Sequence, residues 1–103
     1  MRLVFAEPAA EDIDDIVAYI GLDSPSAAEG VFRAIAAAAE RLAEFPGLGR
    51  AGRLPDTREW PVVSLPYVII YQVRGEDVVI LAVFHTARNL ARAMAERRRA
   101  LDP

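Results

Sequence analysis

The chain has 103 residues, 53% of them apolar, and a formal net charge of −3, a length that suits one compact domain, residues 1–103, with one core. No apolar run approaches the roughly 18 residues a membrane span requires, the opening MRLVFAEPAAED lacks the long apolar region and cleavage site of a secretory signal, and the absence of cysteine excludes disulfides and thiolate chemistry. The expectation is a soluble, cytoplasmic protein whose charge is unevenly spread: residues 1–49 carry nine acids against three arginines, residues 50–103 nine arginines against six acids, and there is no lysine.

Arg2 to Ala6 (RLVFA) is a short β-prone run closed by Glu7 and Pro8, and a proline there suits the first turn of a helix. In PAAEDIDDIVAYIGLD the apolar residues Ile13, Ile16, Val17 and Ile20 recur at spacings of three and four. Glu11, Asp12, Asp14 and Asp15 crowd the helix start, where the macrodipole favours negative charge, and read as a solvated face. Gly21 to Pro25 breaks the pattern. A second helix then begins either at Ser24, ahead of a first-turn proline, or at Ser26, with Glu29 completing a capping box. Its stripe of Ala28, Val31, Phe32, Ile35, Ala39, Leu42 and Phe45 makes the pair a helical hairpin. Pro46 to Thr57 (PGLGRAGRLPDT) has no period and reads as a loop. REWPVVSL, YVIIYQV and DVVILAVFH are β-branched and aromatic runs forming an antiparallel meander, with Pro61 best placed at an edge or bulge. The closing RNLARAMAERRRALDP is helix-prone, with Leu90, Met94 and Leu101 on one side and Arg92, Arg97, Arg98 and Arg99 elsewhere. The order β-α-α-β-β-β-(α) describes an α+β fold, a helical hairpin packed on one face of a small, mainly antiparallel sheet.

One histidine, no cysteine and carboxylates gathered at a helix start leave no metal-ligand set, and no cofactor is expected. PGLGR is not a phosphate-cradling P-loop, because it lacks the Gly-Lys-Ser/Thr ending and leads to a strand. What remains is a set of arginines bracketing the strands: Arg50 and Arg53 in the loop, Arg58 opening a strand, and Arg88 three residues beyond His85. If strand pairing brings Arg58, His85 and Arg88 together, guanidinium forks for a phosphate stand beside an imidazole able to move a proton. Otherwise His85 closes its strand and the arginines pair with Glu59, Asp56 or the acidic helix. Tyr67 and Tyr71 share one strand face with Ile69 and Val73, which suits a core or a partner-facing surface.

The series PGLGR, DTREW, PYVIIYQV and VVILAVFHTAR, after a β-α-α start with DIVAYI and an alanine-rich second helix, resembles the ParE/RelE superfamily of bacterial toxins over nearly the whole chain. The H-x-x-R ending at His85 and Arg88 is most similar to ParE-type plasmid-stabilisation toxins. That resemblance implies the toxin of a type II toxin-antitoxin system, which arrests growth by poisoning DNA gyrase without being an enzyme and is neutralised by a ParD-like antitoxin wrapped around it. The antitoxin contacts expected on this basis are Val31, Phe32, Tyr67 and Tyr71, and the target contacts Arg50, Arg53, Arg88 and Arg92. The alternative is a RelE-like, ribosome-dependent mRNA endoribonuclease using Arg58, His85 and Arg88, the one case in which direct nucleic-acid binding is expected. Three features favour the gyrase reading: the acidic, lysine-free composition, the lack of an aromatic residue after Phe84, and the long helix-prone tail.

Overall fold

The computed structural model describes residues 1–101. Its elements are β1 (Arg2–Phe5), α1 (Glu7–Gly21), α2 (Pro25–Glu44), β2 (Arg50–Ala51), β3 (Arg58–Pro61), β4 (Tyr67–Arg74), β5 (Asp77–His85) and α3 (Leu90–Leu101). The sheet order is β1-β5-β4-β3-β2, with β1 parallel to β5 and every other pair antiparallel. The architecture is the expected α+β arrangement with one addition, the two-residue β2 inside the glycine-rich loop. Pro61 ends β3 beyond the reach of β2, so its missing N–H costs no sheet hydrogen bond on that edge.

Local chemistry explains the helix boundaries. Pro8 occupies the first turn of α1, where its absent N–H would have had no helical acceptor. Ser24 caps α2: its backbone is extended, its hydroxyl accepts the N–H of Ala27 at 3.2 Å, and Pro25 follows in the first turn. The Ser26 start is therefore not used, and Glu29 is paired with Arg33 one turn on. Between β4 and β5 the chain reverses through Gly75, whose φ of +58° favours glycine.

Strand alternation sorts the sheet into two faces. Tyr67, Ile69, Tyr71, Val78, Ile80 and Val83 meet Ala9 and Ile13 of α1 and Ile35, Ala39 and Leu42 of α2, and this is the main core. On the reverse face Val68, Ile70, Ala82 and Phe84 meet Ala93 and Met94 of α3. Burying aliphatic side chains such as Leu42 and Ile80 contributes about 1.5–3 kcal/mol each. Ile70 pairs with Ala82 but Tyr71 pairs with Ile80, so Leu81 is an unpaired bulge in β5.

The tail helix is docked by more than apolar contact. Strand β1 accompanies β5 only as far as Ile80, leaving the next backbone groups on that edge without a strand partner. There the carbonyl of Leu81 accepts Nη1–H of Arg97 at 2.8 Å, and the N–H of Val83 donates to Oδ2 of Asp12 at 3.0 Å. Arg97 grips the same carboxylate with both terminal nitrogens, at 2.8 and 2.7 Å. Asp12 is thus not part of a solvated acidic face, and Arg97 does not point away from the core. Together they close an open sheet edge and tie α1, β5 and α3 into one unit.

Candidate functional site

His85 is the last residue of β5 and lies opposite Tyr67, whose ring it meets edge-on with centroids 5.5 Å apart. Its Nδ1 accepts the N–H of Ala87 at 3.0 Å, and its carbonyl accepts the N–H of Arg88 at 3.0 Å, so the residue organises the turn that leaves the sheet. The Arg88 guanidinium sits 4.8 Å from the centroid of the Phe84 ring, which belongs to the α3 face of the sheet. Arg58 is elsewhere. It pairs with Tyr71, four residues along β4 from the partner of His85. At about 3.3 Å per residue and 4.8 Å per strand, that is roughly 13 Å along the sheet and 10 Å across it. Its guanidinium donates to the carbonyl of Gly49 at 2.7 Å. Strand pairing thus keeps His85 and Arg88 together but sets Arg58 apart from them, so the three do not form a phosphate fork with an imidazole beside it.

What Arg58 helps to build is the arginine loop. The Tyr71 hydroxyl donates to the carbonyl of Pro46 at 2.7 Å and accepts the N–H of Gly49 at 2.8 Å, a clamp that reaches across the core. Burial pushes the Tyr71 phenol above its ordinary pKa, while the Gly49 N–H and the Arg58 charge pull it back. Glycine is required at position 49, because a Cβ there would stand 2.5 Å from the Tyr71 hydroxyl oxygen. PGLGR is therefore a turn moulded around a buried tyrosine.

From the opposite face, Glu59 reaches the next part of the loop. This carboxylate is only 2% exposed and accepts the backbone N–H of Arg53 at 2.9 Å. Its Oε1 lies 3.6 Å from a guanidinium nitrogen of Arg50 and 3.9 Å from one of Arg53. The two arginines line a cleft together with Glu59, Pro61, Val68, Thr86 and Leu90. Arg88 and Arg92 flank Leu90 in the chain, and Arg92 bonds Glu96 one turn on at 3.3 Å.

The tyrosines expected to offer an apolar surface do not. Tyr67 is 8% exposed and Tyr71 fully buried, because their shared face is the one the helical hairpin covers. Val31 is half-buried against the same core, and Phe32 is half exposed. The largest apolar exposures on the hairpin are Tyr19 and Leu22, at 78% and 83%. Sequence reasoning passed over both, although each falls off the Ile13, Ile16, Val17 and Ile20 stripe, and that displacement is the signal of an outward-facing apolar residue.

Residues 3–90 match the family described as the ParE toxin of type II toxin-antitoxin systems, parDE. The chain is 44% identical to the Y4kP protein of Sinorhizobium fredii over 84 residues, covering 82% of this chain and 86% of that one. It is 39% identical to Toxin RelE2 of Caulobacter vibrioides, covering 84% and 97% of the two chains, and 31% identical to Toxin ParE3 of the same organism, covering 93% and 97%. Among solved structures it resembles a chain of the chromosomal ParDE system of P. aeruginosa, with a TM-score of 0.74 and 26% identity over 82% of this chain and 95% of that one. The isolated E. coli RelE toxin shares the fold, with a TM-score of 0.57 and 19% identity over 94% and 96% of the two chains.

Proposed function

Because the chain belongs to the ParE toxin family of type II toxin-antitoxin systems, we propose that it arrests growth by binding DNA gyrase in the cytoplasm and that a ParD-like antitoxin neutralises it. The observation that carries binding over catalysis is the dispersal of Arg58 from His85 and Arg88 across the full width of β4. A base and its phosphate-binding partners must reach one scissile phosphodiester together, with the base at hydrogen-bond distance from the proton it removes. In this reading Arg50, Arg53, Arg88 and Arg92 meet the target around the cleft. The antitoxin lies over the hairpin surface at Val31 and Phe32, together with Tyr19 and Leu22, and Tyr67 and Tyr71 support that surface from beneath.

The competing reading within the wider superfamily is cleavage of ribosome-bound messenger RNA, and the chain's 39% identity to a relative named Toxin RelE2 is the observation beside it. One experiment separates the two. Purified protein, wild type and His85→Ala, is added to gyrase supercoiling and cleavage reactions and to ribosomes carrying messenger RNA. The expected result is loss of supercoiling with trapped DNA breaks, retained in His85→Ala. Gyrase left untouched while RNA is cut in a His85-dependent way reverses the assignment.

A further inference from the structure

Glu59 is a buried acid that lines the same cleft as Arg50 and Arg53, where the proposed target contact calls for positive charge. Carboxylates are almost never fully buried unless paired, and this one gathers three groups from the same loop: the Arg53 N–H at 2.9 Å and the guanidinium groups of Arg50 and Arg53 at 3.6 and 3.9 Å. Those last two separations exceed the length of a hydrogen bond. The carboxylate therefore attracts both guanidinium groups without occupying their donors.

Two neighbouring arginines repel each other, and in water each samples many rotamers. A single anion beneath both offsets the repulsion and narrows that sampling. The loop backbone is meanwhile held from the far side by Tyr71 at Pro46 and Gly49 and by Arg58 at Gly49. We infer that Glu59 is a positioning residue, which holds Arg50 and Arg53 side by side so that their free donors meet one anionic group of the target together. Ordering two long side chains in advance removes an entropy cost worth roughly tenfold in affinity.

This inference rests on the proposed arginine contact with gyrase, and Glu59→Gln tests it with a sign that simple charge does not share. The amide keeps an oxygen for the Arg53 N–H and removes the negative charge. If only net charge mattered, the substitution would make the site more positive and strengthen binding to an anionic group. Positioning predicts the reverse: gyrase inhibition weakened about tenfold, approaching that of an Arg50→Ala/Arg53→Ala double variant, with affinity for the antitoxin unchanged. The side-chain NMR signals of Arg50 and Arg53 should be dispersed in the wild type and should collapse toward the free-arginine position in Glu59→Gln. Tyr71→Phe provides a second route, since it frees the other end of the loop and should weaken inhibition in the same direction. Stronger inhibition by Glu59→Gln, or unchanged arginine signals, overturns the inference. So does equal loss of antitoxin and gyrase binding, which would mark a general loss of structure. If the double arginine variant loses inhibition while Glu59→Gln keeps it, positioning alone fails. If the double variant inhibits like the wild type, the arginine contact itself fails, and positioning with it.

Discussion

Removing the Asp12 carboxylate is the sharpest test of how the tail helix is held. In Asp12→Ala, Arg97 loses two charge-assisted bonds of 2.8 and 2.7 Å and keeps the Leu81 carbonyl and the Phe84 ring, while the Val83 N–H loses its acceptor. Bonds of that kind contribute about 1.5–3 kcal/mol each, and a stranded N–H costs about 1–3 kcal/mol. Because the two side chains remain 16% and 14% exposed, water recovers part of this loss. The net cost then lies at the low end of the range for breaking a buried pair, about 3 kcal/mol, which corresponds to a fall in Tm of about 15 °C in a domain of this size. Thermal and urea unfolding measure the total. Amide hydrogen exchange locates it, since a detached 12-residue helix is marginal in water and the α3 amides should lose protection first. Replacing both partners, Asp12→Ala with Arg97→Met, should recover at least about 1 kcal/mol relative to the sum of the single changes. A docking role for this pair is refuted if Asp12→Ala costs no more than Arg92→Ala, which breaks an exposed pair, or if the double variant is simply additive.

Three further expectations follow from named contacts. Gly49→Ala drives a methyl group into the Tyr71 ring and should cost about 1–3 kcal/mol as an overpacking change, while Tyr71→Phe leaves two loop backbone groups without their partner at about 1–3 kcal/mol; urea midpoints unchanged by both would contradict the clamp. Ser24→Ala should cost about 1 kcal/mol by removing the cap on Ala27, whereas Ser26→Ala should be close to neutral, a ranking that thermal melts can reverse. The hydrogen bond from Arg2 holds the Asp77 carboxyl below the ordinary carboxylate range. A depressed carboxylate pKa stabilises the fold fully above about pH 5 and loses that effect as pH falls through the native value. The stability gap between wild type and Asp77→Asn should therefore be constant above that pH and shrink toward pH 2, and a gap that widened in acid would oppose this sign.

The elements were readable where local physics decides them. Ile13, Ile16, Val17 and Ile20 repeat at helical spacing, Ser24-Pro25 marks a helix start, and Arg74-Gly75-Glu76 interrupts two β-branched runs, so the hairpin and meander follow from short windows of sequence. The two-residue β2 is too short to show any period. The candidate site was less legible because it depends on pairing across distance. Alternation places Tyr67 and Tyr71 on one face but does not say that the hairpin covers that face. H-x-x-R proximity joins His85 to Arg88, yet only the register of β3 on β4 shows that Arg58 stands far from both. Asp12 is one of several acids in its helix and Arg97 one of several arginines in its own. Their pairing depends on β1 ending at the level of Ile80, a feature of the assembled sheet.

The parallel pairing of β1 with β5 joins residues 75 positions apart, and β5 is also the strand against which both β4 and the hairpin pack. During synthesis the chain emerges N-terminus first, at roughly 5–20 residues per second, and a domain folds as a unit. The hairpin leaves the ribosome early with Ile13, Ile35 and Leu42 uncovered, and the strand that completes their cover arrives among the last segments made. A nascent chain stopped before Asp77 lacks the strand that joins β1 to β4 and also lacks Thr86 and Leu90, so its arginine cleft is incomplete. The arginine cleft is therefore completed only by segments made near the end of translation, well after the hairpin.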